Sequence, residues 1–127
     1  GKGSLMLEDK TNVSATVELL TKWYNAPIGL GQDWVDVSSK RNMDTTYSNM
    51  TNRTMQITAT GSNMISTTPY SYLTLLSNDI IIGSSYVGAG HATHTALAFI
   101  TSPISKNSTY RVVGNVGTTV SIWSELR

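Results

Sequence analysis

An all-β fold, built as a sandwich, jelly roll or barrel, is what this sequence predicts, and three observations carry the prediction. Only 13% of its 127 residues are charged, about half the usual share, and Ser, Thr, Asn and Gly supply the missing polarity. That composition favours strands through Thr and turns through Ser, Asn and Gly, and it disfavours long solvated helices. Beyond Gln32, apolar residues recur at alternate positions in short runs separated by turn signals such as "TGSN", "SNDI", "GAG", "SPISKNS" and "VGNVG", the punctuation of sandwiches and barrels.

In chain order the expected strands are Trp34 to Val37, Met55 to Ala59, Tyr70 to Leu76, Asp79 to Ile82, Ala92 to Thr101, Thr109 to Val113 and Thr119 to Leu126. A chain of this length can bury roughly two-thirds of its unfolded surface, enough for one self-supporting core. The last run, "TTVSIWSELR", alternates Val120, Ile122, Ser124 and Leu126 with Thr119, Ser121, Trp123, Glu125 and Arg127. Val120, Ile122 and Leu126 are expected to face the core, with Trp123 on the opposite face or against a neighbouring chain. Trp34, Tyr47 and Tyr110 are expected to pack inside.

The segment ahead of the strands has a different period. Met6, Val13 and Leu20 recur every seven residues, and Val17 and Tyr24 fall four after the last two. This is the spacing of a coiled-coil seam, and equally the stripe of an ordinary amphipathic helix lying on its own core. Thr11 or Asn12 would cap such a helix, and Pro27 and Gly29 would end it.

Charge and composition exclude several functions. Nine Lys and Arg against eight Asp and Glu leave a net charge of +1, so nothing favours electrostatic capture of nucleic acid or an anionic membrane. The absence of cysteine removes disulfides, thiolate metal sites and thiol nucleophiles. No run approaches the roughly 18 apolar residues of a membrane span, so insertion is not expected. Gly1 to Ser4 reads as a linker, not as the start of a secretory signal.

The motifs that carry chemistry are few. His91 and His94 in "GHATH" would point to opposite faces of a strand, which keeps one chain from closing both on one metal. Asp33 and Asp36, three apart on a strand, likewise diverge and do not make a glycosidase pair. "GLGQDW" lacks the third glycine and the strand-to-helix setting of a dinucleotide fingerprint, and "GSSYVG" has no nucleophile-elbow register. No catalytic constellation, cofactor or metal is therefore expected. Four sequons, at Asn12, Asn49, Asn52 and Asn107, would mark a secreted glycoprotein if read literally, but an Asn-, Ser- and Thr-rich chain generates them by chance. Arg41, Arg53, Arg111 and Arg127 lack acidic neighbours in sequence, which leaves them to distant acids such as Glu125 or Asp36, or to a ligand.

Two stretches carry a resemblance. "GLGQDWVDVSSKRNMDTTYSNMTNRTMQITATGS" and the terminal "STYRVVGNVGTTVSIWSELR" resemble the C-terminal head domain of many bacteriophage tail fibres and tail needles. The matching residues are Gly29, Gly31, Gln32, Trp34, Arg41, Thr46, Tyr47, Asn49, Thr51, Tyr110, Val112, Trp123, Glu125, Leu126 and Arg127. The likeness spans Gly29 to Arg127 and is weakest from Asn63 to His94, where such heads would vary with their target.

The resemblance implies an all-β, jelly-roll (tumour-necrosis-factor-like) β-sandwich head, homotrimeric, spanning residues 29–127 and preceded over residues 1–28 by the end of a helical coiled-coil stalk. It implies a non-enzymatic virion tip, outside the cell, that contacts a host glycan, lipopolysaccharide or outer-membrane protein and trimerises the shaft. Receptor-contacting candidates are Tyr70, Tyr72, Tyr86, His91, His94, Arg41 and Arg111. Trimer-interface candidates are Met6, Val13, Val17, Leu20, Tyr24, Trp123 and Leu126. The alternative is a secreted trimeric ligand of the tumour-necrosis-factor or complement-head type, which the sequons favour and the terminal motif disfavours. A polysaccharide depolymerase comes third, since paired acids are scarce.

Overall fold

The computed structural model describes residues 26–65 and 67–127, so the seam positions Met6, Val13, Val17, Leu20 and Tyr24, and with them the stalk, lie outside the described residues. Eight strands follow one another: β1 (Trp34–Asp36), β2 (Tyr47–Ser48), β3 (Met55–Asn63), β4 (Tyr70–Ser77), β5 (Ile80–Gly88), β6 (Ala96–Ile104), β7 (Thr109–Gly114) and β8 (Thr119–Leu126), with one 3-10 turn at Ser38–Lys40. They form two four-stranded sheets ordered β1-β8-β3-β6 and β2-β7-β4-β5, and every pairing is antiparallel. Eight strands distributed in this order are the jelly roll.

Period-two alternation builds the core. β3 buries Met55, Ile57 and Ala59, β4 buries Leu73 and Leu75, β6 buries Ala98, Ile100 and Ile104, and β7 buries Tyr110 and Val112. Each sheet thus turns one apolar face inward. "TGSN", read from sequence as a turn, is instead the end of β3. Gly61 allows this, because a Cβ there would lie 2.8 Å from a Thr118 methyl and 2.9 Å from Leu73 Cδ2.

β8 corrects the expected facing. The β3–β8 register shifts between Thr60, opposite Ile122, and Gly61, opposite Val120, so Ser121 is the extra residue of a bulge. Val120 packs on the core, but past the bulge the inward residues are Trp123 and Glu125, both fully buried. Ile122 is turned out and 53% exposed. Trp123 therefore belongs to this chain's own core and is not a subunit contact. Leu126 lies half-buried on the outer face, opposite Trp34 and Gln56, and Trp34 is exposed there as well, not packed inside.

Candidate functional site

Three exposed tyrosines come together on the outer face of the β2-β7-β4-β5 sheet. β4 turns Ser71, Leu73 and Leu75 inward, so Tyr70 and Tyr72 project outward. The strand returns through Asn78 and Asp79, both with positive φ (50° and 63°), the two-residue hairpin turn that matches strand twist. The register then shifts between Leu76, opposite Ile81, and Leu75, opposite Gly83, so Ile82 is the extra residue of a bulge, and beyond it Tyr86 of β5 stands opposite Tyr72 and Gly88 opposite Tyr70. With no side chain at Gly88, the Tyr86 ring leans across it, its hydroxyl 3.6 Å from where a Cβ would stand. The ring centres of Tyr86 lie 5.6 Å from Tyr70 and 6.5 Å from Tyr72, and Tyr86 is 64% exposed. The strand expected over Asp79 to Ile82 in fact continues through Tyr86 to Gly88.

Polar side chains hold this platform from its end. Asn115 donates from Nδ2 to the Tyr70 carbonyl (2.9 Å) and accepts the Tyr72 N–H on Oδ1 (2.8 Å). Buried Asn63 donates to the same Tyr70 carbonyl (2.9 Å), and buried Ser71 donates to the Ala96 carbonyl (2.7 Å). Tyrosines seated on a strand fixed this way keep their rings in register, as a binding surface requires.

The two flanking loops meet at the same end. The Ala89 N–H donates to the Pro69 carbonyl at 2.9 Å, and Thr95 Oγ1 approaches Met64 Sδ at 3.9 Å. His91 and His94 lie in the second of these loops, not on a strand, because β6 begins only at Ala96. The His94 N–H donates to the His91 carbonyl at 3.1 Å, and the resulting turn brings both exposed rings to one side, centres 4.9 Å apart. The expectation of opposite faces is thereby overturned.

Arg41 has a different role from the one expected. Its Nε and Nη2 donate to Oε2 and Oε1 of Glu125 at 3.0 Å each, and its guanidinium lies 4.5 Å over the Tyr47 ring. Tyr110 donates its hydroxyl to Oε2 of the same carboxylate at 2.7 Å, and Arg127 Nε approaches Oε1 at 3.7 Å. Burial, and then its bond to Glu125 and that residue's charge, push the Tyr110 hydroxyl well above its ordinary value. Burial alone would lower the Arg41 value, but hydrogen bonding to Glu125 and the carboxylate's charge hold it raised. Arg41 reaches solvent through a cleft of about 350 Å³ walled in part by Met43, Thr118 and Val120, where Glu125 already answers its charge. Arg41 thus locks the final strand. Arg111 is paired with Asp44 at 2.7 Å on the surface.

The remaining motif residues also close the fold. Gln32 accepts the Gly29 N–H (2.8 Å) and donates to the Thr54 carbonyl (3.0 Å). Asn49 is 1% exposed and donates from Nδ2 to the carbonyls of Arg53, Ile104 and Ser105 (2.8, 3.0 and 3.1 Å). Its Oδ1 accepts from the Thr51 N–H and hydroxyl. Asn49 is thus a structural residue whose amide a glycan cannot reach, while Asn52 and Asn107 are exposed with positive φ.

No family model and no curated protein sequence matches the chain. Among solved structures, it is similar to the CBM36-1 domain of a multidomain xylanase from the hindgut metagenome of Trinervitermes trinervoides, at 12% identity and a TM-score of 0.41 over 76% of this chain and 96% of that one. It is also similar to a carbohydrate-binding module CBM36 in complex with calcium and xylotriose, at 19% identity and a TM-score of 0.39 over 82% and 95% of the two chains.

Proposed function

We propose that this chain is the non-enzymatic head of a phage tail fibre or tail needle, carried on the outside of the virion, and that it contacts a glycan of the host surface through Tyr70, Tyr72 and Tyr86. The tyrosine platform is the observation that carries the reading. The Tyr86 ring, within 6.5 Å of both Tyr70 and Tyr72, joins them in a surface that presents apolar faces to the C–H surfaces of a sugar and phenol hydroxyls to its rim. Large, stiff, amphipathic side chains bind at small cost in conformational entropy. Thr74 and Ser84, opposite one another on the same face, add hydroxyls without charge, which suits a polyhydroxylated ligand. The platform falls in the middle of the chain, between the two motif-bearing ends, where a head would vary with its target.

The resemblance gains support from what its residues do. Arg41, Tyr110 and Glu125 join a loop near the start of the sandwich to its last two strands, while Gln32 holds the Thr54 carbonyl and Asn49 the Ile104 carbonyl, so these motif residues close the fold. Buried Asn49 weakens the case for a glycosylated ligand. Glu125, engaged by Arg41 and Tyr110 in the core, has no path to act as a glycosidase acid. Homotrimerisation is part of the proposal and draws on the outer face of the β1-β8-β3-β6 sheet, where Trp34, Leu97, Phe99 and Ile122 are exposed. Phe99 and Ile122 flank Thr60 on that face, and exposed apolar side chains of this kind are where a second chain would pack.

The test is binding of the full chain to immobilised bacterial lipopolysaccharides and surface polysaccharides. A saturable ligand is expected, with Tyr72→Ala and Tyr86→Ala each weakening it at least tenfold while the circular dichroism spectrum is unchanged. Undiminished binding by both variants, or no binding across the panel, overturns the glycan reading.

A further inference from the structure

We propose that His91 and His94 form a two-imidazole clamp for one divalent transition-metal ion of the zinc, copper or nickel class. The geometry comes from a tight turn. The His94 N–H bonds back to the His91 carbonyl, which places two side chains three residues apart on one side of the loop between β5 and β6. Neither imidazole has a hydrogen-bond or ion-pair partner among the described residues, so their ring nitrogens are uncommitted. Both are exposed, which gives an ion direct entry.

The ring separation fits shared coordination. With metal–nitrogen bonds of about 2.0–2.1 Å and a ring nitrogen about 1.1 Å from its ring centre, two imidazoles on one ion each hold their centres about 3.2 Å from it. Centres 4.9 Å apart then subtend an angle of about 100° at the ion, between the square-planar and tetrahedral values. Imidazole nitrogen selects zinc, copper and nickel over the hard oxygen-seeking cations. Among the described residues no group of three or more His, Cys, Asp or Glu is assembled for a metal. The clamp therefore supplies two ligands and leaves the remaining positions to water or to oxygen atoms of a bound molecule. An ion held this way brings positive charge to the same end of the sandwich as the tyrosine platform.

The chain contains two histidines in all, which makes the test clean. Untagged full-length chain is titrated calorimetrically with zinc chloride, and with nickel and copper salts in parallel, with magnesium as the control cation. The expected result is one transition-metal ion per chain, no magnesium binding, and at least a tenfold loss for His91→Ala and for His94→Ala. Both side chains are exposed, so the variants should keep the wild-type thermal midpoint, and the imidazole proton resonances of both histidines should shift or broaden together with zinc. No saturable binding, equal affinity in both variants, or fewer than one ion per chain overturns the clamp. No glycan is present in the experiment, so its failure leaves the glycan proposal standing and the reverse holds too.

Discussion

Glu125 shows how one side chain organises a fold end. It is a carboxylate in the core of a chain with few charges, and it survives there because Arg41 and Tyr110 give it three hydrogen bonds. Removing one member of such a pair leaves the other's charge buried and unanswered, so Glu125→Gln should destabilise the protein by about 3 kcal/mol in urea unfolding. Tyr110 makes the pH dependence specific. Its hydroxyl titrates higher in the folded state than the ordinary 10.0, so the folded protein keeps a proton that the unfolded chain has lost. The stability this confers is complete below about pH 10 and declines as the pH rises toward the folded value. Tyr110→Phe should flatten that alkaline decline and lower stability at neutral pH by about 1.5–3 kcal/mol, the value of a hydrogen bond to a charged group; thermal midpoints from pH 7 to 11 would show both effects.

At the scale of elements, β8 and the β4–β5 hairpin carry the testable consequences. β8 pairs with both β1 and β3 and delivers Trp123 and Glu125 to the core. Deleting residues 123–127 should leave no folded protein, seen as loss of the cooperative thermal transition; a cooperative transition at the wild-type midpoint would show that the strand is dispensable. In the hairpin, Asp79 holds φ at 63°, which glycine adopts without a Cβ penalty. Asp79→Gly should therefore stabilise the protein by up to about 1 kcal/mol and leave glycan binding untouched, since the residue lies at the turn opposite the tyrosines.

For the whole molecule, the exposed side chains on the outer face of β1-β8-β3-β6 raise the question of assembly. Light scattering at micromolar concentration should give three times the chain mass, and Phe99→Asp together with Ile122→Asp should return a monomer with the same circular dichroism spectrum; a wild-type monomer would remove the homotrimer from the proposal. Much of the architecture was legible beforehand. Period-two alternation located β1, β3, β4, β6, β7 and β8, because inward and outward residues differ in polarity whenever a sheet has one wet face. Two-residue β2 was missed, being too short to show a period, and β5 was cut short at Ile82 because Gly83, Ser84 and Ser85 carry no apolar side chain to continue an alternation. The three tyrosines were identifiable as surface candidates, but their convergence depends on which residues pair across the hairpin. By itself the sequence determined the fold class and the extent of the last strand. Only the tertiary structure decided that a bulge turns Trp123 and Glu125 inward, that Asn49 is buried, and that a turn gathers His91 and His94, because facing and proximity are set by register and backbone path, which residue spacing alone does not encode.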